Sequence, residues 1–331
     1  MSVSRERRVV FRQRGLVEVE EFELGAPTEG EMLIRTRSTL ISPGTETAFL
    51  MALANTSGEF PQYPGYSNAG LVERVGNAVK EIHVGDRVVS HRPHASRVLA
   101  REEETLRIPD AVSYDEASFF ALGSVALQGV RKGKVELGDS VLVVGQGLVG
   151  NLALQLAKLS GGTPVIGADL CDYRLGISLK VGADYAINLS RDNLDERVGA
   201  ITEGRGASVV IEATGSPSAI PTALTLASRY GRVILLGSPR GDSTVDFYTY
   251  VHRKGLQIVG AHNSTRPRYE STHGAWTIRD DAKLVLRLIE EGLLNVRALV
   301  TSKMSYREAT EAYRRLRESK DETIGVIIDW E

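Results

Sequence analysis

The chain has 331 residues, 42% hydrophobic and 25% charged, an ordinary globular composition with material for one or two buried cores. A formal net charge of −2 gives no basis for nucleic acid or an anionic membrane as a partner, and no apolar run approaches the ~20 residues of a spanning helix. The single cysteine, Cys171, rules out an internal disulfide and any thiolate cluster for zinc.

At the start of the chain Arg5, Arg7, Arg8, Arg12 and Arg14 alternate with apolar residues as an exposed strand face does. No apolar signal segment follows this basic start, so a cytoplasmic location is expected. Residues 9–110 are dense in alternating, β-branched stretches punctuated by glycine, among them Glu31 to Arg37, Gly70 to Gly76 and Gly85 to Ser90, and predict a mostly β module. From about Ala117 to His262 strands alternate with helical patterns. The strands are Val141 to Val144, Val165 to Asp169, Ser208 to Ala213, Arg232 to Gly237 and Leu256 to Gly260, and the alternation predicts an α/β doubly wound parallel sheet. The tail predicts a helix over Asp280–Glu291 stopped by Gly292, a second over Tyr306–Glu318, and a last strand over Ile324–Asp329.

The chemistry begins where Val141-Leu142-Val143-Val144 enters Gly145-Gln146-Gly147-Leu148-Val149-Gly150. Gly145 permits the tight turn, Gly147 lets backbone approach phosphate, and Gly150 lets the following helix press on the sheet, so amides and a positive helix end face one anionic pocket. Asp169 ends the next strand, where its carboxylate accepts from an adenosine ribose. Repulsion between that carboxylate and a 2′-phosphate favours NAD, while Arg174, five residues on, either reaches a phosphate and admits NADP or is a solvated residue of the next helix. Cys171, between them, is read as a packing or loop residue. Thr214-Gly215 and Gly237-Ser238 follow two further strand ends and Ala261-His262-Asn263 a third. These loops are expected to flank the ribose and nicotinamide, with His262, Tyr269 and Trp276 toward a substrate.

The order of these motifs, with Pro64 to Gly76 and Val84 to Val89 in the front half, resembles the medium-chain dehydrogenase/reductase superfamily over essentially the whole chain. The resemblance implies a GroES-like catalytic domain of residues 1–116 and 263–331, a Rossmann dinucleotide-binding domain of residues 117–262, an active site in the cleft between them, and a homo-oligomer, dimeric or tetrameric. Zinc members carry Gly-His-Glu where this chain has Gly65-Tyr66-Ser67 and a cysteine ligand near Ile41 to Glu46. The third-ligand region looks like Leu122 to Ala126, with serine in the ligand place. The segments Leu40 to Glu46, His91 to Ala95 and Leu122 to Arg131 look like a zinc-less branch that includes the front half of bi-domain oxidoreductases and is similar to bacteriochlorophyllide hydroxyethyl dehydrogenases. Sugar-, cyclitol- or polyol-like secondary alcohols are the substrates this implies.

Without a metal, an organic group must take or give the hydroxyl proton. Three candidates compete. Tyr66 is a phenol that an oxidised nicotinamide's charge lowers from ~10. His94, with His91 as the nearby alternative, has a reference pKa of ~6.5 and is placed by the resemblance on a loop toward the cleft. Glu46 with Thr45 is a pair that relays the proton or holds substrate, Thr45 being equally readable as a helix cap. The alternative reactions are reduction of a quinone or an enone C=C bond and, outside catalysis, a nucleotide-binding structural protein.

Overall fold

A computed structural model describes residues 4–319 and 321–331. The front elements are β1 (Ser4–Gln13), β2 (Leu16–Leu24), β3 (Glu31–Leu40), α1 (Pro43–Leu50), β4 (Asn68–Val75), β5 (Arg87–Ser90), β6 (Arg97–Arg101), β7 (Thr105–Arg107), α2 (Tyr114–Ala117) and α3 (Phe120–Gly133). An alternating stretch follows: β8 (Val141–Val144), α4 (Leu148–Leu159), β9 (Val165–Asp169), α5 (Asp172–Lys180), β10 (Tyr185–Asn188), α6 (Leu194–Ile201), β11 (Ala207–Glu212), α7 (Ala219–Leu226), β12 (Ala227–Leu235) and β13 (Gln257–Gly260). The tail carries α8 (Ile278–Glu290), β14 (Val300–Ser305), α9 (Ala309–Glu318) and β15 (Gly325–Asp329). One compact unit comprises Met1–Ala121, Ala282–Gly292 and Val300–Glu331, the other Leu122–Asp281 and Leu293–Leu299.

The first unit is built on a seven-stranded sheet in the order β14-β15-β3-β4-β5-β7, with β6 paired to β3, and on the β1-β2 hairpin. All its pairings are antiparallel except β14 with β15. The tail joins the front half through packing. Ser305 and Glu308 close a reciprocal capping box that starts the α9 turn, and Ala309, Ala312, Tyr313 and Leu316 recur at helical spacing on one buried face. That face packs with Val9, Phe11, Val17, Ile41 and Leu50 in one core, each large side chain contributing about 1.5–3 kcal/mol.

In the second unit six parallel strands run β10-β9-β8-β11-β12-β13. The four residues of β8 are all buried because helices cover both faces of such a sheet, which is why they read as an unbroken aliphatic run. Strand order reverses between β8 and β11, and ligands of open parallel sheets lie beyond the carboxyl ends at that point.

Three boundaries differ from the sequence reading. β12 opens at Ala227 and not Arg232, because Ala227 pairs with Ala207 before a register shift. The change of unit falls within α3, after Ala121, and not after residue 116. Residues 263–281, assigned by resemblance to the catalytic domain, belong to the second unit: Arg266 donates to Asp281 and to the Ser124 carbonyl, and Gln128 donates to the His262 carbonyl. No helix among the described residues is long and apolar enough to cross a membrane.

Candidate functional site

The glycine-rich turn of the second unit is shaped by backbone. Gly145 has φ +94°, and a Cβ there would lie 2.7 Å from the Thr214 methyl. A Cβ on Gly150 would sit 1.7 Å from the Gly145 carbonyl oxygen, so only glycine lets α4 come this close to β8. Nothing lies within 4 Å of the corresponding position on Gly147, leaving open space beside the turn. Gly147 is also the N-cap of α4 and brings no side-chain acceptor, so the N–H groups of Leu148, Val149 and Gly150 stay available at the positive helix end.

Asp169 closes this cradle from the end of β9. Its Oδ2 accepts from the Gln146 N–H at 2.6 Å and its Oδ1 from the Cys171 N–H at 3.0 Å, which leaves lone pairs for ribose hydroxyls. Gln146 itself needs correction as a cofactor contact: its N–H is spent on Asp169, and its amide turns inward to the Val143 carbonyl. Arg174 lies in the first turn of α5 with its Nη1 3.9 Å from Asp169 Oδ2, a paired residue and not a solvated one. Thr214 and Gly215 are held by Glu212, whose Oε1 accepts from both backbone N–H groups and from the Thr214 hydroxyl. Burial pushes the Glu212 carboxyl up, against those bonds. Gly237 is pressed so close that a Cβ would meet the Gly215 nitrogen at 2.3 Å, and a Cβ on Gly215 would meet the Ser238 carbonyl oxygen at 2.7 Å, so the two loops form one surface.

In the first unit the four proton-transfer candidates lie together. Ser42 is the N-cap of α1 with Pro43 at the first helical position. Its N–H is satisfied by Glu46 Oε1 at 2.8 Å, and its hydroxyl, which ordinarily caps the helix, instead accepts from Tyr66 Oη at 2.6 Å. Glu46, 3% exposed, uses Oε2 twice more: His94 Nε2 lies 3.0 Å away and Tyr313 Oη donates at 2.5 Å. Tyr313 is fixed edge-on against Phe11. Burial, with the charge of Glu46 added, raises its phenol well above the ordinary value.

The surroundings redefine three of these candidates. His94 does not lead out toward a substrate: it is 0% exposed, its N–H bonds the Pro64 carbonyl, and its ring rests on Gly65. At Gly65, φ +99°, a Cβ would lie 2.7 Å from that ring, so glycine is needed to seat it. Tyr66 is not lowered by its own surroundings: burial, reinforced by Glu46 and partly offset by Ser42 and Thr45, pushes its phenol up to about 12. Thr45 lies inside α1 and is no cap.

The remaining candidates scatter. His91 bonds the Tyr66 carbonyl through Nδ1 at 3.2 Å and packs its ring on Phe120. His262 caps its own turn through Ser264, Tyr269 is 87% exposed, and Trp276 stacks on Arg131. Sequence reasoning missed Ser42 and Tyr313. The pattern Ser42-Pro43 with an acid at Glu46 signals a helix start and marks Ser42, whereas Tyr313 reads only as one apolar position of α9.

The donor set does not fit a zinc ion. In the segments that resemble zinc-ligand positions, the Ser42 and Tyr66 hydroxyls bond to each other, and neither is a thiolate or imidazole. Among the described residues no group of three or more His, Cys, Asp or Glu side chains is placed to hold a metal.

Residues 28–128 match the alcohol dehydrogenase GroES-like domain and residues 149–276 the zinc-binding dehydrogenase domain. L-threonine 3-dehydrogenase of Pyrococcus horikoshii is 29% identical over 333 residues, covering 90% of this chain and 92% of the relative. Sorbitol dehydrogenase of Bacillus subtilis is 25% identical over 301 residues, covering 82% and 81%. The fold is shared with the crystal structure of an Escherichia coli oxidoreductase/dehydrogenase of unknown specificity, at a TM-score of 0.86 and 22% identity over 98% of this chain and 99% of that one. Both halves of the sequence thus match in the order in which the two units are built, and the chain belongs to the medium-chain dehydrogenase/reductase superfamily.

Proposed function

We propose that this chain is a zinc-independent oxidoreductase that binds a nicotinamide adenine dinucleotide, NAD in preference to NADP, and interconverts a secondary alcohol and its ketone on a sugar-, cyclitol- or polyol-like substrate. The observation that carries the reading is the cradle between Gly145 and Gly150, open at Gly147 and closed at one side by Asp169. The N–H groups of Leu148, Val149 and Gly150 bind the pyrophosphate, and the Asp169 carboxylate accepts from the ribose hydroxyls while disfavouring a 2′-phosphate. A bound nicotinamide supplies or accepts the hydride. Tyr66 handles the proton. A phenol raised to about 12 stays protonated at neutral pH and donates to the substrate oxygen in the direction of ketone reduction. Ser42 orients that hydroxyl, and the buried bonds among Glu46, His94 and Tyr313 fix the start of α1 that presents Ser42 and Thr45. The names of the threonine and sorbitol relatives support a hydroxylated small molecule as substrate. The chain also forms a homo-oligomer, a reading supported by β13 ending its sheet with no further strand among the described residues and by the exposed Ile258 on that strand.

The test is absorbance at 340 nm with chelator-treated protein, NAD and NADP, a polyol panel, and an enone and quinone panel. Polyol oxidation that survives chelation, with NAD favoured, is expected. Enone or quinone reduction without polyol oxidation overturns the alcohol reading, and a stoichiometric zinc requirement overturns the metal-free one.

A further inference from the structure

A small recess lies wholly within the second unit, between the last turn of α3 and the segment that follows β13. Arg131, Lys132, Arg266, Trp276 and Asp281 are among the residues that line it. Arg266, with a side chain 3% exposed, is saturated by the protein: it donates to the side chains of Gln128, Asn263 and Asp281 and to the Ser124 and Thr277 carbonyls. Arg131 is differently placed. Its Nε donates to Asp281 at 2.8 Å and its guanidinium lies 3.8 Å over the Trp276 ring, while its two Nη groups have no acceptor among the described residues. The Lys132 ammonium beside it has none there either. One buried carboxylate therefore serves two guanidinium groups, and a third cation joins them. The partial negative charge at the end of α3 offsets only about half an elementary charge. Burial lowers Arg266 against the raising effect of Asp281, and the nearby Arg131 charge adds a smaller lowering.

We infer that this recess is an oxyanion-binding site, which takes a carboxylate or phosphate group of a small molecule between the Arg131 Nη groups and Lys132, with Trp276 holding the guanidinium plane. A planar guanidinium fixed on an aromatic face presents paired donors to two oxygens of one anion, and a neighbouring ammonium adds charge without demanding geometry. The site is distinct from the glycine-rich cradle and does not depend on the dinucleotide reading.

The test is calorimetric titration of the full chain with inorganic phosphate and, separately, acetate, each against chloride at matched ionic strength. Lys132→Met and Arg131→Met are the variants, with Lys180→Met as a charge control. Saturable binding with a dissociation constant of ~1 mM or tighter is expected for at least one probe, weakened about tenfold by each of the first two variants and unchanged in the control. Which probe binds tighter assigns the group. Arg131→Met also strips a partner from buried Asp281, so Lys132→Met, which removes no such bond, decides if the other variant does not fold. No saturable binding by ~10 mM overturns the site. So does binding that neither variant alters, which belongs to the glycine-rich cradle, or an equal loss in the control, which reports net charge alone.

Discussion

The glycine-rich cradle of the second unit and the Ser42–Tyr66–Glu46 cluster of the first are both built to hold hydrogen-bonding groups in fixed places, by opposite means. The cradle works by what is missing: no Cβ at Gly147 or Gly150, no capping side chain on α4, and donors left over at a helix end. The cluster works by what is filled, since Glu46 accepts from Ser42 and Tyr313 and meets His94, and the Ser42 hydroxyl gives up its capping role to Tyr66. A surface made by backbone tolerates almost no side-chain growth, whereas a surface made by side chains fails when one partner is deleted.

The largest effect expected follows from deletion at the proton donor. Tyr66→Phe keeps the ring and loses the hydroxyl, and kcat should fall about a thousandfold while the dissociation constant for NADH stays unchanged. Wild-type turnover in that variant would remove Tyr66 from the chemistry and leave the first unit with a structural cluster only. Growth in the cradle is the complementary break. Gly150→Ala puts a carbon 1.7 Å from the Gly145 carbonyl, a clash that no side-chain rotation relieves. NADH affinity, read by fluorescence titration, should weaken roughly a hundredfold, with melting temperature reporting how much of the loss is folding. Unimpaired binding would show that α4 can shift and that the close approach is not required.

The same contrast explains which parts of the site were legible in the sequence. Gly145 through Asp169 is a local pattern, and turn, helix start and strand end each follow from residue type, so the cradle and the parallel sheet could be read directly. What failed there was a direction: periodicity does not say that Gln146 points inward to Val143. The cluster is assembled over long separations, Tyr66 with Ser42 across 24 residues, His94 with Glu46 across 48 and Tyr313 with Glu46 across 267. A histidine beside Pro93 looks like a loop residue until the positive φ of Gly65 shows that the chain folds over its ring. Burial bears on the chemistry too, since desolvation raises the Tyr66 phenol before any nicotinamide charge acts on it.

Glu46→Gln sharpens the comparison at smaller cost. The amide cannot accept at both former oxygens, so one of the buried donors is left unsatisfied, and unfolding in urea should show a loss of about 2 kcal/mol. A change within error would mean that Glu46 is dispensable to the cluster. Glu46 charge also helps to raise Tyr66, so the alkaline limb of the pH–rate profile should move to lower pH in the same variant.

The smallest effect concerns stability at high pH. The Tyr66 phenol titrates near 10.0 when unfolded and at about 12 when folded, so between those values the native state holds a proton that the unfolded chain has released. The unfolded state binds fewer protons there, and stability falls as pH rises through the window. Below 10.0 both states are protonated and the group adds no slope. Phenylalanine at this position has no proton to hold, so the wild-type protein should lose its stability relative to Tyr66→Phe as pH climbs from 10.0 toward 12, in paired urea titrations across the window. Tyr313 is raised as well but is common to both proteins, so the difference between them isolates Tyr66. Parallel curves would mean that water reaches the Tyr66 hydroxyl freely, and the phenol would then be an ordinary one, as able to lose its proton in alcohol oxidation as to give it in ketone reduction.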